Sequence, residues 1–209
     1  MRQHVNPLSN HFKVLEPIPP LDQLFKNPHF PLHIDIGCAS GNFLFELAKQ
    51  NHNWNYLGIE IREKLVLNAK LKLKYSDLEN LSFFYGNADY AIKESVDQFP
   101  NGLVNSVSFN FPDPWFKKKH HKRRVLQPEL LDQISKIMTN NALLFIKSDV
   151  KQLFEYMNSV ILSSCIFEKY NNGFENTHNP KNIKTERELY AISQNLPVYH
   201  QIYRKIFNN

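Results

Sequence analysis

The sequence predicts an α/β protein: a mostly parallel central sheet with helices on both faces. Three observations carry that expectation. From Leu32 onward, short apolar runs of strand length alternate with longer segments of helical periodicity. The first run leads into the glycine-bearing turn Gly37-Cys38-Ala39-Ser40-Gly41, and a helical pattern opens directly after it. A chain of 209 residues, 42% hydrophobic, is long enough to bury such a sheet in one domain.

The elements follow in order. Residues 1–31 hold six of the twelve prolines, Pro17, Pro19 and Pro20 among them, and read as an irregular arm. Phe12, Leu15, Leu21, Leu24 and Phe25 allow part of that arm to dock. Residues 32–209 form the domain proper. Leu32–Ile36 is predicted as a buried strand and Asn42–Gln50 as a helix with Phe43, Leu44, Leu47 and Ala48 inward. Tyr56–Glu60 is a strand and Glu63–Tyr75 a helix. Leu81–Tyr85 is a strand, with a short helix near Ala88–Val96. Val104–Phe111 is a strand. Pro128–Met138 is a helix whose proline sits in the first turn, where a missing N–H does no harm. Leu143–Lys147 is a strand and Val150–Leu162 a helix. The tail from Ile166 to Ile206 reads as strands joined by an Asn-rich loop, Asn171–Asn182.

Composition narrows the class. Two cysteines, Cys38 and Cys165, exclude a disulfide scaffold and a Cys-rich zinc module. His29 and His33 alternate, but no acid or cysteine cluster completes a metal set, so no metal is expected. No apolar run approaches the length of a membrane span, and Met1–Asn10 lacks a signal-like apolar stretch, so a cytoplasmic protein without membrane attachment is expected. The net charge of +5 is local. Lys117-Lys118-Lys119-His120-His121-Lys122-Arg123-Arg124 holds six cations and no acid, and without it the chain is close to neutral. A focused basic patch suggests a polyanion such as nucleic acid; the plainer alternative is a solvated lysine-rich loop.

In an open parallel sheet, ligands bind beyond the carboxyl ends of the strands. There the sequence places Asp35 near the end of the first strand and Gly37 just after it, Glu60 at the end of the second, and Asn87 and Asp89 after the third. The dinucleotide pattern G-x-G-x-x-G is broken, since Ala39 and Asn42 hold its second and third glycine positions. Singly, Asp35 reads equally as a satisfied strand-end carboxylate, Glu60 as a surface charge, Asn87 as a turn residue and Cys38 as a small core residue. Together they match the layout for S-adenosylmethionine (AdoMet) in a Rossmann-like class I methyltransferase, Glu60 being suited to a ribose diol. The fourth strand runs into Pro112-Asp113-Pro114-Trp115, where two prolines fix the backbone around Asp113 and Trp115 offers a stacking surface.

The string from Asn110 to Arg124 resembles the bacterial tRNA (guanine-N7)-methyltransferases. Asp35-Ile36-Gly37, Gly58-Ile59-Glu60, Lys147-Ser148-Asp149 and Thr185-Glu186-Arg187-Glu188 support the resemblance over about Leu32–Tyr203. The chain departs from the usual family pattern at Asp35 (often Glu), Asn87 (often Asp) and Ser148 (often Thr). The resemblance implies methyl transfer from AdoMet to N7 of guanine 46 in the tRNA variable loop. It implies AdoMet contacts at Asp35, Gly37, Glu60, Asn87 and Asp113, with Asp113 at the methyl-transfer site. It also implies substrate contacts at Lys117, Asp149, Thr185, Glu186, Arg187 and Glu188, in a monomer or homodimer. Taken without the resemblance, Thr185 and Glu186 read as a turn before a strand. Two rival functions remain at this point: an NAD-dependent oxidoreductase, disfavoured by the broken glycine pattern, and a non-catalytic RNA-binding subunit.

Overall fold

A computed structural model of the chain describes residues 5–12, 17–99, 103–170 and 183–206. Its strands are Leu32–Ile36 (β1), Asn55–Glu60 (β2), Leu81–Tyr85 (β3), Val104–Asn110 (β4), Met138–Ser148 (β5), Phe167–Lys169 (β6) and Tyr199–Lys205 (β7). They form one sheet in the order β3-β2-β1-β4-β5-β7-β6. β1 to β5 pair in parallel, while β7 is antiparallel to both β5 and β6. The strand order reverses between β1 and β4. The connections at the carboxyl ends of those strands therefore diverge and leave a crevice, the place where such sheets take ligands.

The helices are Leu21–Leu24 (α1), Asn42–Gln50 (α2), Glu63–Lys74 (α3), Ala88–Lys93 (α4), Pro128–Ile137 (α5), Lys151–Ser163 (α6) and Glu186–Ser193 (α7). Two apolar layers separate them. Leu32, Ile34 and Ile36 of β1 join Leu57 and Ile59 of β2 in a core with the inner faces of α4, α5 and α6. Tyr56, Leu81 and Phe83 pack with Phe43, Leu44 and Leu47 of α2 and Val66 and Ala69 of α3. This is the two-faced arrangement the alternating pattern predicts. On the α2 side, however, β1 contributes His33 and Asp35, both buried and polar.

The N-terminal arm docks through Ile18, Leu21 and Phe25, which enter the first core; the backbone N–H of Ile18 donates to Ser95 Oγ at 2.7 Å. Several boundaries differ from the sequence reading. β5 starts at Met138 because polar Thr139, Asn140 and Asn141 continue the strand across a register shift against β4, with Asn141 at φ 64°. The short helix after β3 stops at Lys93, followed by a 3-10 turn at Val96–Gln98. The tail is not made of strands alone. Thr185 caps a helix rather than a turn before a strand: its Oγ1 accepts from the Glu188 N–H at 3.1 Å. The Asn-rich segment 171–182 lies outside the described residues.

Candidate active site

The turn after β1 carries the local conditions for a ligand. Gly37 has φ +80° and a Cβ there would meet nothing within 4 Å, so its backbone faces open space. Gly41 has φ +73°, and a Cβ would lie 2.3 Å from the Phe83 ring. The first glycine gives access and the second lets α2 start directly against β3. Cys38 is buried, and that burial, with Asp35 and Glu60 nearby, pushes its thiol well above the usual range. It is a small core residue and not a nucleophile.

A cavity of about 420 Å³ opens at this edge, within the range of small-molecule sites. Gly37, Glu60, Asn87 and Asp113 line it, together with Arg62, Asp89, Trp115 and Arg123. Val5, Pro7 and Leu8 of the arm form part of its wall. The Glu60 side chain is 2% exposed and holds four hydrogen bonds. Its Oε1 accepts from Arg62 N at 3.0 Å and Nε at 2.9 Å; its Oε2 accepts from Arg62 Nη2 at 3.0 Å and Ala39 N at 2.9 Å. Glu60 holds the Arg62 guanidinium above its usual range, and Asp113 adds to the effect from across the cavity. Asn87 accepts from the Asp89 N–H at 3.1 Å, which caps α4, and donates to the Pro7 carbonyl at 3.1 Å. Asp35 lies behind this wall, 2% exposed, with Ser108 and Asn110 donating to Oδ1 at 2.6 and 3.0 Å.

Two residues bracketing Asp113 adopt left-handed backbone angles, Phe111 at φ 51° and Trp115 at φ 45°. Bulky residues rarely do so, and each instance costs on the order of 1 kcal/mol. No pattern in the sequence announces this strain. Arg124 holds the turn in place. It is 4% exposed, donates through Nε to the Pro114 carbonyl at 3.0 Å, and lies over the Tyr156 ring of α6 at 4.6 Å. Charge counting groups Arg124 with the solvated cations, but it is a buried strut. Lys117, Lys118, Lys119 and Lys122 are exposed on or beside a 3-10 stretch, Lys118–Arg123, and Arg123 lies 5.1 Å from the Trp115 ring centroid.

Lys117, Asp149 and the Thr185–Glu188 stretch fall outside the cavity wall. At the end of β5, Lys147 Nζ donates to Glu188 Oε2 at 2.9 Å with both side chains nearly buried, and Asp149 pairs with Arg187. Glu186 accepts from Asn42, whose Oδ1 in turn accepts from Lys72 Nζ at 2.6 Å. The first turn of α7 is thereby fastened to β5 and α2.

Among the described residues no group of three or more His, Cys, Asp or Glu side chains is placed to hold a metal ion, and no helix is long and apolar enough to cross a membrane.

A family model described as "Putative methyltransferase" matches residues 29–201. A tRNA (guanine-N(7)-)-methyltransferase of Prochlorococcus marinus subsp. pastoris is 55% identical over 209 residues, covering 99% of this chain and 100% of the relative. Among solved structures, the 16S rRNA methyltransferase KamB aligns with a TM-score of 0.60 at 12% identity, covering 89% of this chain and 92% of that one. A Streptococcus mutans protein in complex with SAH aligns with a TM-score of 0.51 at 12% identity, covering 89% and 93%.

Proposed function

We propose that this chain, which belongs to the tRNA (guanine-N7)-methyltransferase family, transfers a methyl group from AdoMet to N7 of guanine 46 in the variable loop of tRNA. The observation that carries the reading is a single cavity joining the ends of β1, β2 and β3 to Asp113, with Lys122, Arg123 and Arg124 of the basic segment also in its lining.

The residues present fit AdoMet. Open backbone at Gly37, a buried carboxylate at the end of β2 and an Asn-Asp pair after β3 offer partners for the amino acid, ribose and adenine parts. When bound, AdoMet supplies an electrophilic methyl on a sulfonium. Glu60 would accept from the ribose hydroxyls in place of the Arg62 guanidinium, whose side chain is 31% exposed. Asn87 and Asp89 would meet adenine, and Asp35, just behind the wall beside Gly37, would draw the methionine amino group.

Guanine N7 has an in-plane lone pair and no proton, so no general base is required. The protein's task is alignment and charge. Asp113 accepts from the guanine N–H edge and offsets the positive charge that grows on the ring. Asp149 is a second acceptor for that edge, with Arg187 released toward phosphate. Thr185 accepts through Oγ1 within its cap, and its O–H remains able to donate to substrate. On this reading the chain acts in the cytoplasm, as a monomer or a homodimer. The position is tested by chemical cleavage at 7-methylguanosine in treated transcripts. Cleavage at 46, abolished when that base is changed to adenine, supports the reading; cleavage elsewhere contradicts it.

Two smaller effects are expected at this site. Glu60→Ala removes the ribose acceptor. Charge-assisted hydrogen bonds are each worth roughly 1.5–3 kcal/mol, partly offset here by the displaced Arg62 contacts, so AdoMet affinity falls at least about tenfold by calorimetry. Equal affinity in the two proteins contradicts the assignment. Replacing the exposed Lys118, Lys119 and Lys122 with glutamine flattens the slope of log K for tRNA against log salt by roughly 2–3, near 0.9 for each phosphate no longer neutralised. An unchanged slope places the basic segment off the RNA path.

A further inference from the structure

The α2 face of β1 and β4 carries a polar seam, of which the methyl-transfer reading uses only Asp35. On this face β1 presents His33 and Asp35, and β4 presents Ser106, Ser108 and Asn110. In the register of the parallel pair, His33 lies opposite Ser106 and Asp35 opposite Ser108. His33 and Ser108 are fully buried. The imidazole packs among the rings of Phe43, Tyr56 and Phe145, with centroids 6.1–6.4 Å away.

The hydrogen bonds along the seam have one direction. Ser108 donates its only O–H to Asp35 Oδ1 at 2.6 Å. Toward His33 Nε2, 3.0 Å away, Ser108 can only accept, so Nε2 carries the proton. In the neutral ring Nδ1 is then bare and accepts from Ser106 Oγ at 2.7 Å. The chain Ser106 to His33 to Ser108 to Asp35 ends on a carboxylate, the arrangement in which successive bonds strengthen one another. Both bonds to Asp35, from Ser108 and Asn110, fall on Oδ1. Oδ2 has no hydrogen-bond partner among the described residues.

We infer that Ser108, its hydroxyl aimed by His33, is a positioning residue for the methyl-transfer site, fixing the Asp35 carboxylate so that Oδ2 is presented to the amino group of AdoMet. The inference rests on the reading that Asp35 faces the cofactor.

The surroundings of Asp35 give it a distinct signature. Burial pushes its carboxyl up to about 6, while the Ser108 and Asn110 hydrogen bonds pull it back down. The charged groups acting on it are Glu60 from β2, which raises it, and Lys147 from β5, which lowers it. The Cys38 thiol lies in the turn above; β4 adds only neutral groups, and α2 adds the Phe43 ring against His33. Ionised Asp35 attracts an ammonium group, so AdoMet affinity falls as pH drops through this range. Removing the Ser108 hydroxyl raises the Asp35 carboxyl further and moves that acid limb to higher pH.

The test is calorimetric AdoMet affinity from pH 5.5 to 8.5 for wild type, Ser108→Ala and Asp35→Asn, with melting temperatures alongside. The limb is expected to move up by about one pH unit in Ser108→Ala. That leaves affinity near wild type at pH 8.5, about threefold weaker at pH 6.5 and about eightfold weaker at pH 5.5. Asp35→Asn loses the limb. A purely structural hydroxyl lowers the melting temperature and leaves the limb where it is, and that result overturns the inference while the Asp35 reading stands. An Asp35→Asn protein that keeps the wild-type limb overturns the reading itself and the inference with it. If Ser108→Ala does not fold, Ser108→Cys, nearly isosteric with a weaker donor, gives the same comparison with a smaller move.

Discussion

Asp113→Asn lowers the single-turnover rate of methyl transfer by about 10²-fold, the scale of losing one positioned electrostatic group at a reacting centre. Asparagine keeps the size and one acceptor but removes the charge. The loop around it is set by Pro112 and Pro114, by the left-handed backbone at Phe111 and Trp115, and by the Arg124 bond to the Pro114 carbonyl. Asparagine fills the same space in that loop, so the folded structure persists. Affinity for tRNA barely moves, because phosphate contacts dominate it. AdoMet affinity falls less than the rate, because the proposed cofactor partners Glu60, Asn87 and Asp35 lie at or near the ends of other strands. Rapid-quench kinetics with both substrates saturating isolates the chemical step. A wild-type rate would reduce Asp113 to a turn residue and pass its role to Asp149.

Glu188→Ala destabilises the fold by about 3 kcal/mol, the low end for breaking a nearly buried ion pair. The Lys147 and Glu188 side chains are 9% and 12% exposed and lie 2.9 Å apart. Deleting the acid leaves a buried ammonium at the end of β5 without its partner. For a chain of this length the melting temperature falls by roughly 6–12 °C. The double variant Lys147→Met/Glu188→Leu recovers most of the loss, because a well-packed apolar pair of similar volume avoids the desolvation of two charges. Urea unfolding followed by circular dichroism checks both. A Glu188→Ala protein as stable as wild type would mean that Lys147 reaches water.

The Glu188 result also bears on what the sequence can disclose. β1, α2 and β3 are legible to the residue, because an apolar run bounded by a glycine turn or by polar helix starts leaves little choice of boundary. α7 is not. Its signal, Thr185 followed three residues later by Glu188, is a helix-start pattern. In the structure Glu188 turns away to Lys147, and the residues behind it, Leu189, Tyr190 and Ile192, are exposed rather than arranged as an inward apolar stripe. Periodicity alone gives no helix there. The cavity-lining residues Gly37, Glu60, Asn87 and Asp113 are legible because each lies at or just past a strand end. Asp35 follows the same rule and yet sits one layer back, held by Ser108 and Asn110. The contributions of Arg62, Arg124 and the arm residues Pro7 and Leu8 are hidden, because composition and periodicity do not say which contacts those side chains make once the chain is folded. Arg124 shows this most clearly: six cations in a short run look alike until one of them is found under Pro114 and over Tyr156.

In the proposed function this sheet edge joins AdoMet to the N7 atom of a tRNA guanine. That function is tested most directly by nucleoside mass spectrometry of unmodified tRNA incubated with the full chain and methyl-labelled AdoMet. Label is expected in 7-methylguanosine alone, abolished by omitting the protein. Label in any other nucleoside, or none in a protein shown to bind AdoMet, would contradict it.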